Sequence, residues 1–143
     1  MSTRSMIAML NEDKTVTAIY CHFDGYVQGV GVTLLNHWNT TDRVRSLMEL
    51  GDLSSLGIEV GQKQDFSFPT SRDWCLAYGR DRCEAGTEAQ SFHSLYYVEG
   101  AHGDVDYFYF FDGRDWSFKR NGYRGGYTNL NEYVSTELLE AVA

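Results

Sequence analysis

Proline is nearly missing from this chain: Pro69 is the single one in 143 residues. That excludes a stiff proline-rich spacer, and no glycine- or serine-rich tract stands in for one, so nothing resembles an interdomain linker. Cysteine is also scarce. Cys21, Cys75 and Cys83 are odd in number and contain no C-x-x-C pair. A disulfide scaffold and a cysteine-paired zinc site are therefore disfavoured, and the expected state is reduced, as in a cytosol. Long apolar runs are absent too. The N-terminus offers only the five apolar residues Met6 to Leu10, short of a signal-peptide core and far short of a membrane span. Basic residues are few, 12 against 20 acidic. Binding to DNA or RNA depends on neutralising phosphates with Lys and Arg, so direct nucleic-acid binding is disfavoured.

What is present is acid and aromatic. The formal net charge is −8, and aromatic residues make up 15% of the chain, mostly ten Tyr and eight Phe. Between positions 99 and 115 five acids (Glu99, Asp104, Asp106, Asp112, Asp115) face only Arg114, a local charge of −4. Such a surface complements a basic protein and can compete with that protein's own anionic ligand. Tyr and Trp suit either a half-buried sheet or a recognition surface.

The patterning predicts one α+β domain over residues 1–143. Arg4–Leu10 and Thr15–Phe23 read as strands around the polar turn Asn11-Glu12-Asp13-Lys14, a hairpin. Val30 to Trp38 reads as a helix. A second helix begins at a Thr41 cap, carries Val44, Leu47, Met48 and Leu50 on one stripe, and stops at Gly51. Residues 57–71 are polar and irregular, a long loop. Trp74–Tyr78 reads as a strand and Arg80–Gln90 as loop, while Phe92–Val98 is ambiguous between strand and helix. Tyr107–Phe111 and Trp116–Arg120 flank Asp112-Gly113-Arg114-Asp115, a strong hairpin signal. A C-terminal helix follows an Asn129/Glu132 capping box, with Leu130, Tyr133, Val134, Leu138 and Val142 on one face. The expected architecture is a mainly antiparallel sheet, made of the N-terminal hairpin plus C-terminal strands. Two central helices and a C-terminal helix cover one of its faces.

Several residue groups are candidates for chemistry. Alternation along the second strand puts Cys21 and His22 on opposite faces, so they cannot act as a pair. His22 and Asp24 share a face, and with Tyr26 they form a candidate ligand site at a strand end; the alternative is a histidine satisfied by its neighbours. Gly25, Gly29 and Gly31 stand between strand and helix, but their G-x-x-x-G-x-G spacing misses the dinucleotide fingerprint and no Walker lysine follows. Arg80 and Arg82 could cradle an anion, completing a pocket for a phosphorylated or nucleotide-like compound. Equally, Asp81 and Glu84 could neutralise them within their own loop. Tyr107-Phe108-Tyr109-Phe110-Phe111 puts aromatics on both strand faces, either buried or forming an acidic aromatic rim with Asp104, Asp106, Asp112 and Asp115. No metal-binding motif and no cofactor signature is present.

Several segments together resemble one family, small proteins of unassigned activity encoded by tailed bacteriophages and prophages. They are Ser2-Thr3-Arg4-Ser5, Ala18-Ile19-Tyr20-Cys21-His22-Phe23-Asp24-Gly25-Tyr26, Gly29-Val30-Gly31 and Leu34-Leu35-Asn36-His37. Leu50-Gly51-Asp52-Leu53-Ser54-Ser55-Leu56, Ala77-Tyr78-Gly79-Arg80-Asp81-Arg82 and Tyr107-Phe108-Tyr109-Phe110-Phe111-Asp112 complete the set. The chain departs from the family's pattern at Phe23, Val27 and Cys83, where Trp, Pro and Gly are usual. The resemblance implies no catalytic residues. It implies a protein made in the cytoplasm of an infected bacterium, where small acidic accessory proteins bind and disable host or anti-phage defence proteins, nucleases among them. The other roles it leaves open are a small-ligand protein or enzyme and a minor virion component.

Overall fold

The N-terminal hairpin forms the centre of the sheet. A computed structural model describes residues 2–138. In it β1 (Ser5–Leu10) pairs antiparallel with β2 (Val16–Cys21), from Ser5 opposite Cys21 to Leu10 opposite Val16. Lys14 makes the turn at φ 73°. A wide π-type turn (Val27–Gly31) runs into α1 (Val32–His37), and α2 (Thr41–Leu50) follows. The cap of α2 is Thr40, one residue before the expected Thr41: the Thr40 hydroxyl accepts the Arg43 N–H at 3.2 Å. Gly51 ends the helix at φ 76° as expected.

The next elements are short. They are β3 (Leu53–Ser55), β4 (Leu76–Ala77), α3 (Tyr78–Arg82), β5 (Gln90–Phe92) and α4 (Leu95–Ala101). The expected strand 74–78 thus shrinks to two residues, and the expected loop from Arg80 begins inside a helical turn. The cause is local: the Asp81 carboxylate accepts the Ala77 N–H at 2.8 Å and starts the turn, and Cys83 ends it in the left-handed conformation at φ 55°. The ambiguous segment 92–98 resolves as the end of β5 and the start of α4.

β6 (Tyr107–Phe111) and β7 (Trp116–Arg120) form the second hairpin, followed by β8 (Thr128–Asn129) and α5 (Leu130–Tyr133). The Asn129 side chain accepts the Glu132 N–H at 3.0 Å, the first of the two capping-box bonds, a contact of about 1 kcal/mol. Of the apolar face expected on this helix, Leu130 is buried and Tyr133 and Val134 are partly buried; the side chain of Leu138 and the whole of Val142 lie outside the described residues.

The sheet order is β4-β3-β2-β1-β6-β7-β8, with β5 alongside the first half of β2. The protein is an α+β fold with a mostly antiparallel sheet. The exceptions are β1 with β6 and β2 with β3, which run parallel. One sheet face carries Ile7, Met9, Ile19, Cys21, Tyr109 and Phe111 and packs against Leu34 of α1, Val44 and Leu47 of α2, and Leu130 of α5. The expectation of helices on one face only is corrected here. Met6, Ala8, Val16, Ala18 and Phe108 on the other face pack against Val98 of α4 and Val105. With both faces covered, β1 can be apolar throughout, and its first five residues are all buried.

Candidate functional site

His22 stands just past the end of β2, where its backbone N–H donates to the Leu53 carbonyl at 3.0 Å. Its Nδ1 lies 2.7 Å from the Tyr20 hydroxyl, the next residue on the same strand face. Cys21, on the opposite face, is fully buried, and burial pushes its thiol up to about 12. Asp24 turns the chain at φ 59°. Its carbonyl accepts the Val30 N–H at 2.8 Å, and its carboxylate accepts the Tyr26 hydroxyl at 3.3 Å. Close approach of backbone requires two of the glycines here. A Cβ on Gly29 would collide with the Asp24 carbonyl, and one on Gly25 would lie 2.8 Å from the Thr3 carbonyl. The Tyr109 hydroxyl from β6 donates to the Gly25 carbonyl at 2.7 Å and locks the turn onto the core.

Arg80 and Arg82 serve their own segment. Arg80 donates to the Val60 carbonyl at 2.7 Å, to the Cys75 carbonyl at 2.7 Å and to both oxygens of Asp81. Asp81 also accepts from the backbone N–H groups of Gln64 and Ala77. Burial alone would raise the Asp81 pKa, but the Arg80 guanidinium and these N–H donors outweigh it and hold it below the usual carboxylate range. Arg82 pairs with Glu84 at 2.6 Å and lies over the rings of Phe66 and Tyr78, at 4.4 and 4.8 Å. This is the self-neutralised loop, built to staple the 57–75 segment to the sheet. Because β3 and β4 lie outside β2 in the sheet, α3 sits about 10 Å from the His22 strand end. No hydrogen bond among the described residues joins His22, Asp24 or Tyr26 to Arg80 or Arg82.

The acidic cluster also divides. Asp104 and Asp106 precede β6, and Asp112 and Asp115 follow it, so Asp106 and Asp112 are roughly 20 Å apart along an extended strand. Asp104 faces Arg4 at 3.7 Å, and Asp106 accepts the Arg4 backbone N–H at 2.9 Å. Asp112 accepts the N–H groups of Arg114 and Asp115, at 2.8 and 2.7 Å, and so shapes the β6–β7 turn. The aromatics between them are not a surface rim: Phe108, Tyr109 and Phe111 are buried, and Tyr107 and Phe110 are partly so.

Phe23, Tyr26, Phe68 and Tyr123 are exposed singly, and two further exposed aromatics are adjacent, on the segment whose sequence is ambiguous between strand and helix. Tyr96 and Tyr97 on α4 are 78% and 53% exposed and meet edge to face, with ring centres 5.4 Å apart. They line an open groove of about 680 Å³ together with Phe92, Glu99 and Asn121. Glu99 is fixed there by Lys119 at 2.8 Å and by the Tyr127 hydroxyl at 3.1 Å. Burial, then the Glu99 charge, pushes the Tyr127 pKa far upward, so this hydroxyl stays a donor. Glu84, Glu88 and Asp104, all exposed, lie on the segments flanking β5 and α4. A helical reading of 95–101 was the one signal that could have found this face: two adjacent tyrosines on a short helix cannot both point into the core.

No group of three or more His, Cys, Asp or Glu among the described residues is placed to hold a metal ion. None of their helices is long and apolar enough to cross a membrane. Compared with known proteins, the chain matches no family model, no curated protein and no solved structure.

Proposed function

We propose that this is a small accessory protein of the tailed-phage type that acts by binding a basic bacterial protein, a host or anti-phage defence component such as a nuclease. The observation that carries the reading is the pair of solvent-facing tyrosines on α4, above a groove on a chain of net charge −8. Exposed tyrosine is enriched in protein-binding hot spots, and its ring faces suit Lys and Arg side chains that stack on them. Glu99 in the groove is already paired with Lys119, so the rings and the overall negative charge carry the attraction. The Arg80 guanidinium, turned inward onto carbonyls and Asp81, favours this reading over an anion pocket at that loop.

The test is capture from bacterial cytosol by the tagged chain, comparing wild type with Tyr96→Ser/Tyr97→Ser and with Asp104→Lys. A basic protein held stoichiometrically by the wild type and lost by the tyrosine variant is the expected result. Undiminished capture by both folded variants would sink the assignment of this face.

A further inference from the structure

A second cavity, of about 240 Å³, opens at the end of the sheet where the N-terminal segment crosses β6 and β7. Ser2, Thr3, Tyr26, Asp106, Tyr107 and Arg120 line it. Tyr26, a ligand candidate by sequence, and Asp106, a partner candidate, are set by the fold against one space. The register sets Arg120 directly across from Tyr107, with Asp106 one residue further on.

The charges are arranged in an informative way. Arg120 makes no side-chain hydrogen bond or ion pair with any described residue, and it does not pair with Asp106 although both line the cavity. Asp106 uses one carboxylate oxygen on the Arg4 backbone N–H, and its other oxygen has no partner among the described residues. The guanidinium of Arg4 is directed instead to Asp104. A fork of donors and an acceptor therefore share one small space lined by two tyrosines and by Ser2 and Thr3. A guanidinium recognises a carboxylate by paired N–H donors, whereas a carboxylate beside aromatic rings recognises an ammonium.

We infer that this cavity is a binding site for a small zwitterion of dipeptide size, its carboxylate on Arg120 and its ammonium between Asp106 and the rings of Tyr26 and Tyr107. The volume equals about eight water molecules at roughly 30 Å³ each, enough for such a ligand. A phosphate monoester is a poor fit, since Asp106 and the nearby Asp24 would repel it. The cavity is separate from the α4 groove, though Asn121 of that groove donates its backbone N–H to the Asp106 carbonyl at 2.9 Å.

The experiment is a titration of the full ¹⁵N-labelled chain, followed by amide shifts, with glycylglycine as probe. N-acetylglycine, which lacks the cation, and glycinamide, which lacks the anion, are the controls. Saturable shifts at Thr3, Tyr26, Asp106 and Arg120 with glycylglycine, and at least tenfold weaker binding of either control, are expected. Arg120→Gln and Asp106→Asn, both at exposed positions, should each weaken glycylglycine binding at least tenfold while leaving the remaining spectrum unchanged. Absence of saturable shifts, equal binding of N-acetylglycine, or indifference to Arg120→Gln would each overturn the assignment.

Discussion

The carboxylate of Asp52 accepts the backbone N–H of Tyr20 at 2.9 Å and closes a gap in the sheet. The outer edge of β2 is shared by two strands, β5 along Val16–Ala18 and β3 at Cys21. Tyr20 falls between them, where no strand supplies a carbonyl. Asp52 does so from the α2–β3 junction, while its own N–H donates to the Thr87 carbonyl at 2.7 Å and its carbonyl accepts the Tyr78 N–H at 3.2 Å.

Burial raises the Asp52 pKa above the ordinary carboxylate value, against the Tyr20 N–H, which lowers it. The folded state thus binds this proton more tightly than the unfolded one. Stability contributed by Asp52 declines as pH rises from the ordinary carboxylate value through the raised one, and the cost is complete above that. Asp52→Asn keeps an oxygen for Tyr20 and removes the charge, so its urea midpoint relative to wild type should improve from acid to neutral pH. Asp52→Ala orphans the N–H and should lose about 1–3 kcal/mol at neutral pH. An Asn variant with a pH-independent deficit would refute this account.

Arg80→Ala strips the ion-pair partner from Asp81, whose side chain has no exposure to solvent. Removing one member of a buried pair costs about 3–5 kcal/mol. Chemical denaturation should show a loss of that size, with early proteolysis in the 57–75 segment, whose Val60 carbonyl loses its donor and whose Cys75 carbonyl keeps only the Gln64 side-chain amide. A change below about 1 kcal/mol would mean that the staple is unimportant.

Gly29→Ala places a methyl group against the Asp24 carbonyl in the β2–α1 turn. Backbone cannot yield as a flexible side chain can, so the expected destabilisation is about 1–3 kcal/mol. Gly100→Ala, where a Cβ meets nothing within 4 Å, is the control and should leave the melting temperature at or above that of wild type.

Thiol reactivity should separate the cysteines. Cys21 and Cys75 are buried, and burial first of all pushes their thiols up to about 12 and about 11. Cys83 is exposed, with the Lys63 ammonium 3.9 Å from its sulfur. A disulfide reagent added to native protein should label one thiol quickly and the other two only after denaturation. Fast labelling of all three would contradict the packing of the β2–β3 region.

Local chemistry announced those parts of the fold whose cause lies within a few residues. The polar turn Asn11–Lys14 between two apolar runs marked β1 and β2, Asp-Gly marked the β6–β7 turn, Gly51 marked the end of α2, and the Asn129/Glu132 spacing marked the start of α5. The pairing of Arg80 and Arg82 with their acidic neighbours was legible for the same reason. Contacts distant in sequence decided the rest. Whether Tyr107–Phe111 faces water depended on α4 over one face of the sheet and on α1, α2 and α5 over the other, and both faces are covered. Asp104 to Asp115 formed one run in sequence, yet a strand between them sends the two halves to opposite ends of the sheet. Tyr96 and Tyr97 gave no distinct signal until the fold turned α4 outward. Arg120 met Asp106 only through the pairing of β6 with β7, and Tyr26 only through the docking of the β2–α1 turn on the N-terminal segment and β6. Short-range hydrogen bonds and steric preferences act on a few neighbouring residues and can be read there. Exposure and the meeting of remote charges depend on which surfaces the whole chain buries, a property of the packed sheet and not of any one segment.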